Sequence, residues 1–243
     1  GFSAYGTIGP LAHIGAHDLA LQAHSGLMSM TGEEDRPPVR CGTAAIDLHS
    51  SLAMVAGVLA ALFHRERTGE GQEVLTSLLL SSAHLMNYFY TEYWMDGTIR
   101  RPMGTANHLS VPNQVFPAAD GGVVIIAPNN DMWQRCARAL DAERLDRPEF
   151  GSSQARLNRR VELIEAIGSV TRKLKALDIV DRLAAAKVNV AKVNSIGEAA
   201  DHPQLAHEGG VVEFSVDGET VKAVASPFKL SRQRARRAGS LRN

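Results

Sequence analysis

The residues best suited to chemistry in this sequence are a carboxylate, Asp47, and an imidazole, His17. Asp47 opens a long apolar segment that ends at Gly69. An acidic residue at the start of a helix accepts backbone N–H groups and faces the positive end of the helix dipole, so Asp47 is interpreted first as a cap. The same position suits a nucleophile, because a carboxylate needs no base and helix N–H groups can stabilise oxyanion charge.

His17 lies at the start of an earlier helical pattern, where it could meet the carboxylate of Asp47. The sequence leaves open whether it does so or is a surface or hydrogen-bonded histidine. His49 is excluded as the partner of Asp47, because residues two apart on a helix lie about 200° around it. His13, His17 and His24 have helical spacings, but no carboxylate or thiol completes a ligand pattern with them, so no metal site is predicted.

Composition restricts the possible partners and compartment. The formal net charge is zero, which favours neither nucleic acid nor an anionic membrane as a partner. Two cysteines are too few for a disulfide framework, and together with the absence of a leader pattern they predict a cytoplasmic protein. The longest uninterrupted apolar run, Leu52 to Phe63, is shorter than the ~20 residues that span a bilayer. Signature loops of esterases, dinucleotide-binding proteins and P-loop proteins are absent.

Hydrophobic patterning predicts an α/β chain. Residues 1–98 are expected to be mainly helical, with two long apolar helices that we expect to be buried. Residues 99–112 are rich in Gly and Pro and are typical of a linker. A hairpin, amphipathic helices and a β-branched strand predict a small α+β domain over residues 113–207, and residues 208–243 form a second hairpin and a basic tail.

Four segments carry a family resemblance: HDLALQAHSGLMSMTG, GTAAIDLHSSLAMVAGVLAALFHRERTGEGQEV, MGTANHLSVPNQVFPAADG and SPFKLS. They are similar to motifs of the family III CoA-transferases of the CaiB/BaiF type, and RERTGEGQ is the most specific part. The resemblance covers residues 1 to about 231. It implies part of that family's fold, with residues 1–98 and 208–243 in a large CoA-binding domain of buried helices and residues 113–207 in the small α+β domain.

The resemblance implies a role for Asp47 as catalytic aspartate. In this family the aspartate attacks an acyl-CoA thioester to form a mixed anhydride and then an aspartyl-CoA thioester, from which a carboxylic acid takes CoA. Coenzyme A thioester is thus substrate, and no bound cofactor is implied. The resemblance further implies contacts to CoA or substrate from Leu78, Gly104, Asn107 and His108, and an interlocked homodimer.

Two departures from the family pattern leave alternatives open. His17-Asp18 matches the His-Asp pair of the related α-methylacyl-CoA racemases, in which the histidine and the aspartate corresponding to Asp47 exchange the α-proton of a 2-methylacyl-CoA. The third acidic residue of those racemases falls near Asn130, which is not acidic. The second departure is the start of the chain without Met, after the family's N-terminal CoA-binding half, so the chain alone could be an inactive fragment.

Overall fold

Ten α-helices and seven short strands form within residues 1–231, the part of the chain that the computed structural model describes, apart from the side chain of Ala142. The predicted α/β fold class is therefore confirmed. The helices, in chain order, are α1 (Asp18–His24), α2 (Ala45–Thr68), α3 (Leu78–Leu85), α4 (Asn87–Asp96), α5 (Asn130–Leu145), α6 (Ser153–Asn158), α7 (Arg160–Thr171), α8 (Ala176–Ala185), α9 (Ile196–Ala200) and α10 (Pro203–His207). The strands are β1 (Phe2–Ser3), β2 (Thr76–Ser77), β3 (Asn113–Ala118), β4 (Gly121–Ile126), β5 (Asn189–Lys192), β6 (Val211–Val216) and β7 (Glu219–Val224).

The chain divides into two compact units, whose boundaries differ from the predicted domains. The first unit contains Gly1–Gln114 together with Ser152–Arg160, and the second contains Val115–Gly151 and the described residues from Val161 onward. Residues 99–112, predicted as a linker, thus lie in the first unit, and the hairpin after residue 208 lies in the second. The segment 152–160 joins the first unit because buried Arg156 donates a hydrogen bond to the carbonyl oxygen of Val111 (3.0 Å).

In the first unit, the two long helical patterns of the sequence end differently. Helix α2 stops as predicted at Gly69, whose positive φ of 79° only glycine adopts without strain, and the Gly69 N–H donates to the carbonyl oxygen of Arg65 at 2.8 Å. The second pattern is divided at Met86 (φ −103°, ψ 18°) into α3 and α4. Strand β2 precedes α3 and pairs in parallel with β1, a contact between distant residues that no local pattern signals.

The prediction that the long apolar helices are buried is wrong for α2, and also for α4, in which no residue is buried. Only Ile46 and Ser50 of α2 are buried, whereas Leu59 and Phe63 are 61% and 63% exposed. The reason is that the unit covers α2 mainly at its start, where Ile46 joins a small core with Leu21 and Leu78. Helix α2 has the length and apolar composition of a membrane span. These two properties are weak evidence for a membrane helix, because core helices of soluble proteins share them.

In the second unit, β3, β4 and β5 form one sheet and β6 pairs with β7. Strands β4 and β5 are antiparallel, from Val123 opposite Lys192 to Ile126 opposite Asn189. The predicted turn between β6 and β7 is present, with Asp217 and Gly218 both at positive φ. The core of this unit is built from large apolar side chains that are fully buried, including those of Phe116, Trp133, Phe150, Leu163, Ile167 and Leu183.

Candidate functional site

Asp47 lies in the first turn of α2 but does not cap it. The N-cap residue is Ala44, and Asp47 is the third helical residue, with its carboxylate exposed to solvent. A carboxylate at this position still faces the positive end of the helix dipole. The cap interpretation of the sequence is therefore wrong in detail, and the Asp47 side chain is left available for other contacts.

The carboxylate that does cap α2 comes from another helix. Asp18, at the first position of α1, accepts hydrogen bonds on Oδ2 from the backbone N–H groups of Ile46 (2.8 Å) and Asp47 (3.2 Å). Asp18 is only 6% exposed, so these charge-assisted bonds form away from water. The starts of α1 and α2 consequently converge on one buried carboxylate.

All four N–H groups at the start of α2 are engaged. Besides the two that bind Asp18, the Ala45 N–H donates to the carbonyl oxygen of Thr43 (2.9 Å) and the Leu48 N–H to that of Ala44 (3.0 Å). Stabilisation of an oxyanion by these groups during attack by Asp47 stays a prediction. Their role in this structure is to fix the backbone that carries Asp47.

Gln22 extends the clamp made by Asp18 to the loop before α2. Its Nε2 donates to Asp18 Oδ1, and its Oε1 accepts from the Cys41 N–H at 2.9 Å. Gln22 is fully buried, and it stands one helical turn after Asp18 on the same face of α1. The pair therefore holds both the loop at Cys41 and the first turn of α2 in place.

A histidine pair holds α2 from a second direction. His49 Nε2 and His84 Nδ1 are 3.1 Å apart, and the two rings stack with a centroid separation of 5.3 Å. Because His84 belongs to α3, this contact joins the second turn of α2 to the end of α3. The exclusion of His49 as a direct partner of Asp47 agrees with this arrangement, since His49 faces α3.

His17 immediately precedes the Asp18 clamp. It is the N-cap residue of α1, its side chain is exposed, and it makes no capping hydrogen bond. No hydrogen bond joins His17 and Asp47 in the described residues, but both stand at the helix starts that Asp18 brings together. The structure therefore places two exposed, chemically competent side chains at one corner of the first unit.

Leu78 and Gly104, which are predicted to contact CoA or substrate, each have a structural role in the first unit. The Leu78 side chain is buried in the small core with Leu21 and Ile46. Gly104 has φ +59°, donates its N–H to the carbonyl oxygen of Gly32 (2.7 Å), and would place a Cβ only 2.7 Å from a carboxylate oxygen of Glu33. Gly104 thus permits a close backbone approach, and the substrate role of both residues stays a prediction.

Asn107 and His108 line a cavity in the first unit. The cavity measures about 250 Å³, and its other lining residues are Tyr88, Phe89, Glu92, Arg100 and Leu109. A second cavity, of about 190 Å³, shares Phe89 and Arg100 with the first. Neither of these cavities is lined by Asp47 or His17. The predicted site residues therefore fall into two groups, one at the helix starts and one around Arg100.

Reasoning from the sequence named Asp18 only as part of the His17-Asp18 pair, without its role at α2, and it missed Gln22 and His84 as parts of the site. An acidic residue followed four positions later by glutamine at the start of α1 is a usable signal, because such residues share one helix face. The sequence does not say that the N–H groups bound by this carboxylate belong to another helix. His84 carries no local signal at all.

This chain is similar in sequence to known proteins. A family model described as CoA-transferase family III matches residues 1–240. The succinate–glutarate CoA-transferase of Agrobacterium fabrum is 30% identical over 232 residues, which cover 94% of this chain and 58% of that protein. The succinyl-CoA:mesaconate CoA-transferase of Haloarcula hispanica is 32% identical over 218 residues, covering 88% and 54% respectively. The chain thus spans little more than half the length of these curated relatives.

A solved structure is similar as well. The crystal structure of a CaiB/BaiF family protein from Brucella suis has a TM-score of 0.81 and 26% sequence identity to this chain. The match covers 95% of this chain and 60% of that one. The mixed α/β architecture described above is therefore that of a known protein family.

Proposed function

Because this chain belongs to CoA-transferase family III, we propose that the protein moves coenzyme A between an acyl-CoA thioester and a carboxylic acid, with Asp47 as covalent nucleophile. The observation that carries this proposal is the placement of Asp47. Its carboxylate is exposed, while the backbone beneath it is held by the buried Asp18 carboxylate. A reactive group on a fixed helix start has the preorganisation that covalent catalysis needs.

The chemistry requires only acyl exchange at Asp47. A carboxylate oxygen of Asp47 attacks the thioester carbonyl carbon, the C–S bond breaks, and coenzyme A leaves as the thiolate with a mixed anhydride on Asp47. The thiolate then attacks the Asp47 carbonyl carbon of that anhydride, which releases the first acid as its carboxylate and leaves an aspartyl-CoA thioester. The acceptor carboxylate repeats the two steps in reverse order, which regenerates Asp47. No net proton transfer is needed.

The substrates that we propose are short dicarboxylic acids and their CoA thioesters. The names of the Agrobacterium fabrum and Haloarcula hispanica relatives specify succinate, glutarate and mesaconate. An assay with succinyl-CoA as donor and a panel of diacids and monoacids as acceptors tests this assignment. Transfer to monoacids alone would contradict it.

Trapping of the acyl-enzyme tests the role of Asp47. The full-length protein is mixed with succinyl-CoA and hydroxylamine, and we expect a hydroxamate on Asp47 by peptide mass spectrometry. The Asp47→Asn variant should form none, and its turnover should fall by about 10³-fold or more, as for removal of other catalytic nucleophiles. The assignment would be refuted by a hydroxamate on a residue other than Asp47 in the wild-type protein, or by unchanged turnover of the Asp47→Asn variant.

A second candidate, racemisation of a 2-methylacyl-CoA, is favoured by one observation. His17 and Asp47 are both exposed at the helix starts that converge on Asp18. This candidate predicts exchange of the α-hydrogen for deuterium in D2O and loss of that exchange in His17→Ala. Exchange that survives His17→Ala would remove His17 as proton carrier, and absence of any exchange would remove the candidate.

For the assembly and compartment, we propose a cytoplasmic homodimer. The exposed apolar residues of α2, among them Leu52, Leu59 and Phe63, support a surface that is covered by protein in the working molecule. Light scattering of the full-length protein over a range of concentrations measures its oligomeric state. A monomer throughout would contradict the proposal.

A further inference from the structure

We propose that the cavity around Arg100 and His108 binds a carboxylate of a short dicarboxylic acid. This inference rests on the proposed function for the identity of the acid. Its evidence is independent of Asp47 and comes from the donors, the charges and the walls of the cavity.

The donors of the cavity come from two elements. Arg100 follows α4, and its Nε donates to Glu92 Oε2 at 2.7 Å while its Nη2 binds Glu92 Oε1. Its Nη1 makes no hydrogen bond to protein in the described residues. Asn107 also lines the cavity; its Oδ1 accepts from the Leu109 N–H at 2.8 Å, and among the described residues its Nδ2 makes no hydrogen bond, so Nδ2 can donate to a ligand. Together with the His108 ring, these groups form a set of donors suited to a carboxylate.

The charges around His108 are positive on balance. Burial lowers the pKa of His108, the nearby Arg100 and Arg160 guanidinium groups lower it further, and Glu92 opposes them more weakly. Arg160 does not line the cavity, but its Nη2 donates to the carbonyl oxygens of Asn107 (2.8 Å) and His108 (3.3 Å). Its buried Nη1 has no hydrogen-bond partner within the described part of the chain. An anion beside His108 would therefore be attracted by Arg100 and Arg160, and it would compete for Arg100 with the carboxylates of Glu92 and Asp96.

The turn that carries Asn107 and His108 is held in shape without a ligand. The Asn107 N–H donates to the carbonyl oxygen of Asn113 (3.0 Å), and Asn113 Nδ2 donates to Ser110 Oγ (3.0 Å). Arg160 fixes the same turn as well. The cavity is thus preformed, which lowers the entropy cost of binding a small molecule.

The cavity walls favour an acid with a short apolar chain. Tyr88, Phe89 and Leu109 supply apolar surface next to the polar groups, and a volume of about 250 Å³ exceeds that of a four- or five-carbon diacid. Small-ligand sites generally combine apolar walls with a few polar groups that fix orientation. A diacid meets both requirements, because its chain fits the walls and its carboxylate fits Arg100 and Asn107.

Equilibrium binding of succinate, measured by calorimetry on the full-length protein, tests the proposal. Arg100→Gln should weaken succinate binding by about tenfold or more, the effect expected for loss of a charge-assisted hydrogen bond. Glu92→Gln should tighten it, because the carboxylate that competes for Arg100 is removed. Arg101→Gln is the matched control: Arg101 is an exposed neighbour that does not line the cavity, and its loss removes the same charge.

Three further measurements keep the test decisive. Butyrate, which has the same length as succinate but one carboxylate, should bind at least about tenfold more weakly if the second carboxylate is recognised. The double variant Arg100→Gln/Glu92→Gln, which leaves no unpaired charge, should fold like the wild type by circular dichroism and still bind succinate weakly. By NMR, succinate should raise the pKa of His108, since a bound anion favours the protonated ring, and affinity should rise as pH falls.

The proposal is overturned if Arg100→Gln and Arg101→Gln weaken succinate binding equally, or if butyrate binds as tightly as succinate. A site for the 3′-phosphate of coenzyme A would instead show no succinate binding, and Arg100→Gln would weaken coenzyme A but not 3′-dephospho-coenzyme A. Because a free acid binds without acylation of Asp47, this test can fail while the Asp47 hydroxamate forms, and the reverse also holds.

Discussion

The two units of this chain use their apolar side chains in different ways. In the second unit, α5, α7 and α8 bury large apolar residues such as Trp133, Leu163 and Leu183. In the first unit, α2 exposes most of its apolar residues, and the buried groups around its start include polar ones, Asp18, Gln22 and Ser50, beside a small apolar core. The second unit is therefore stabilised mainly by hydrophobic packing, whereas the start of α2 is held by directed hydrogen bonds in addition to that small core.

This difference fits the role that we propose for the start of α2. Hydrophobic packing is tolerant in detail and stabilises a scaffold, whereas hydrogen bonds fix a backbone in one orientation. The start of α2, which carries Asp47, is held by the carboxylate of Asp18, and its second turn by the ring of His84. A site built this way depends on a few buried polar residues, and changes to them should affect activity more than general stability.

The largest effect is expected on the free energy of unfolding, in a comparison of two leucines that lie in helices of different units. Leu163→Ala, at a fully buried position in α7, should lower the free energy of unfolding by about 2–5 kcal/mol, because it leaves a cavity. Leu59→Ala, at a position 61% exposed in α2, should change it by less than about 0.5 kcal/mol. Urea unfolding in a Trp94→Phe background, in which buried Trp133 reports on the second unit, measures the first change, and circular dichroism the second. A large decrease in the free energy of unfolding for Leu59→Ala would mean that this face of α2 is covered in solution.

An intermediate effect contrasts two acidic residues in the first turns of helices. Asp18→Ala removes the acceptor for two N–H groups and should cost about 2 kcal/mol of stability and lower kcat more than it raises KM, since it misplaces Asp47. Asp131→Ala, which removes an exposed pair with Arg135, should cost less than about 0.5 kcal/mol.

Asp18→Asn keeps an oxygen acceptor and should restore much of the lost kcat. Steady-state kinetics and thermal unfolding of the three variants provide the comparison. If Asp18→Ala and Asp131→Ala behaved alike, the clamp would have no special role. Failure of Asp18→Asn to recover activity would show that the charge of Asp18, and not only its position, is required.

The smallest expected effect is a pH dependence in the second unit. Lys192 and Ser195 hold the pKa of the exposed Glu198 down at about 2, from an ordinary 4.5. A lowered pKa in the folded state stabilises the protein above pH 4.5, and that stabilisation is lost as pH falls from 4.5 towards 2. In the Glu198→Gln variant, the melting temperature should therefore fall less steeply between pH 5 and pH 3, because the variant has no carboxylate at this position to protonate. An unchanged slope would assign the decrease to other carboxylates.

Local signals in the sequence were sufficient for many elements of the fold. The end of α2 at Gly69, the turn between β6 and β7, and the presence of helices after the first hairpin all follow from glycine conformation and hydrophobic period, which act within a few residues. The division of the predicted helix 153–174 into α6 and α7 was not predicted. Exposure of α2 could not be predicted this way. An apolar pattern shows that a helix prefers to be covered, but it does not show which surface covers it.

The sequence by itself determined the family of this protein and the candidate nucleophile, Asp47, because both depend on residue types in a fixed order along the chain. Only the tertiary structure decided what surrounds Asp47. The N–H groups of Ile46 and Asp47 are bound by Asp18, 28 and 29 positions earlier in the chain. Likewise, Arg100, His108 and Arg160 come together only through folding. Hydrogen bonds and charges act over a few ångströms in space, and separation along the chain does not predict which groups will meet at that distance.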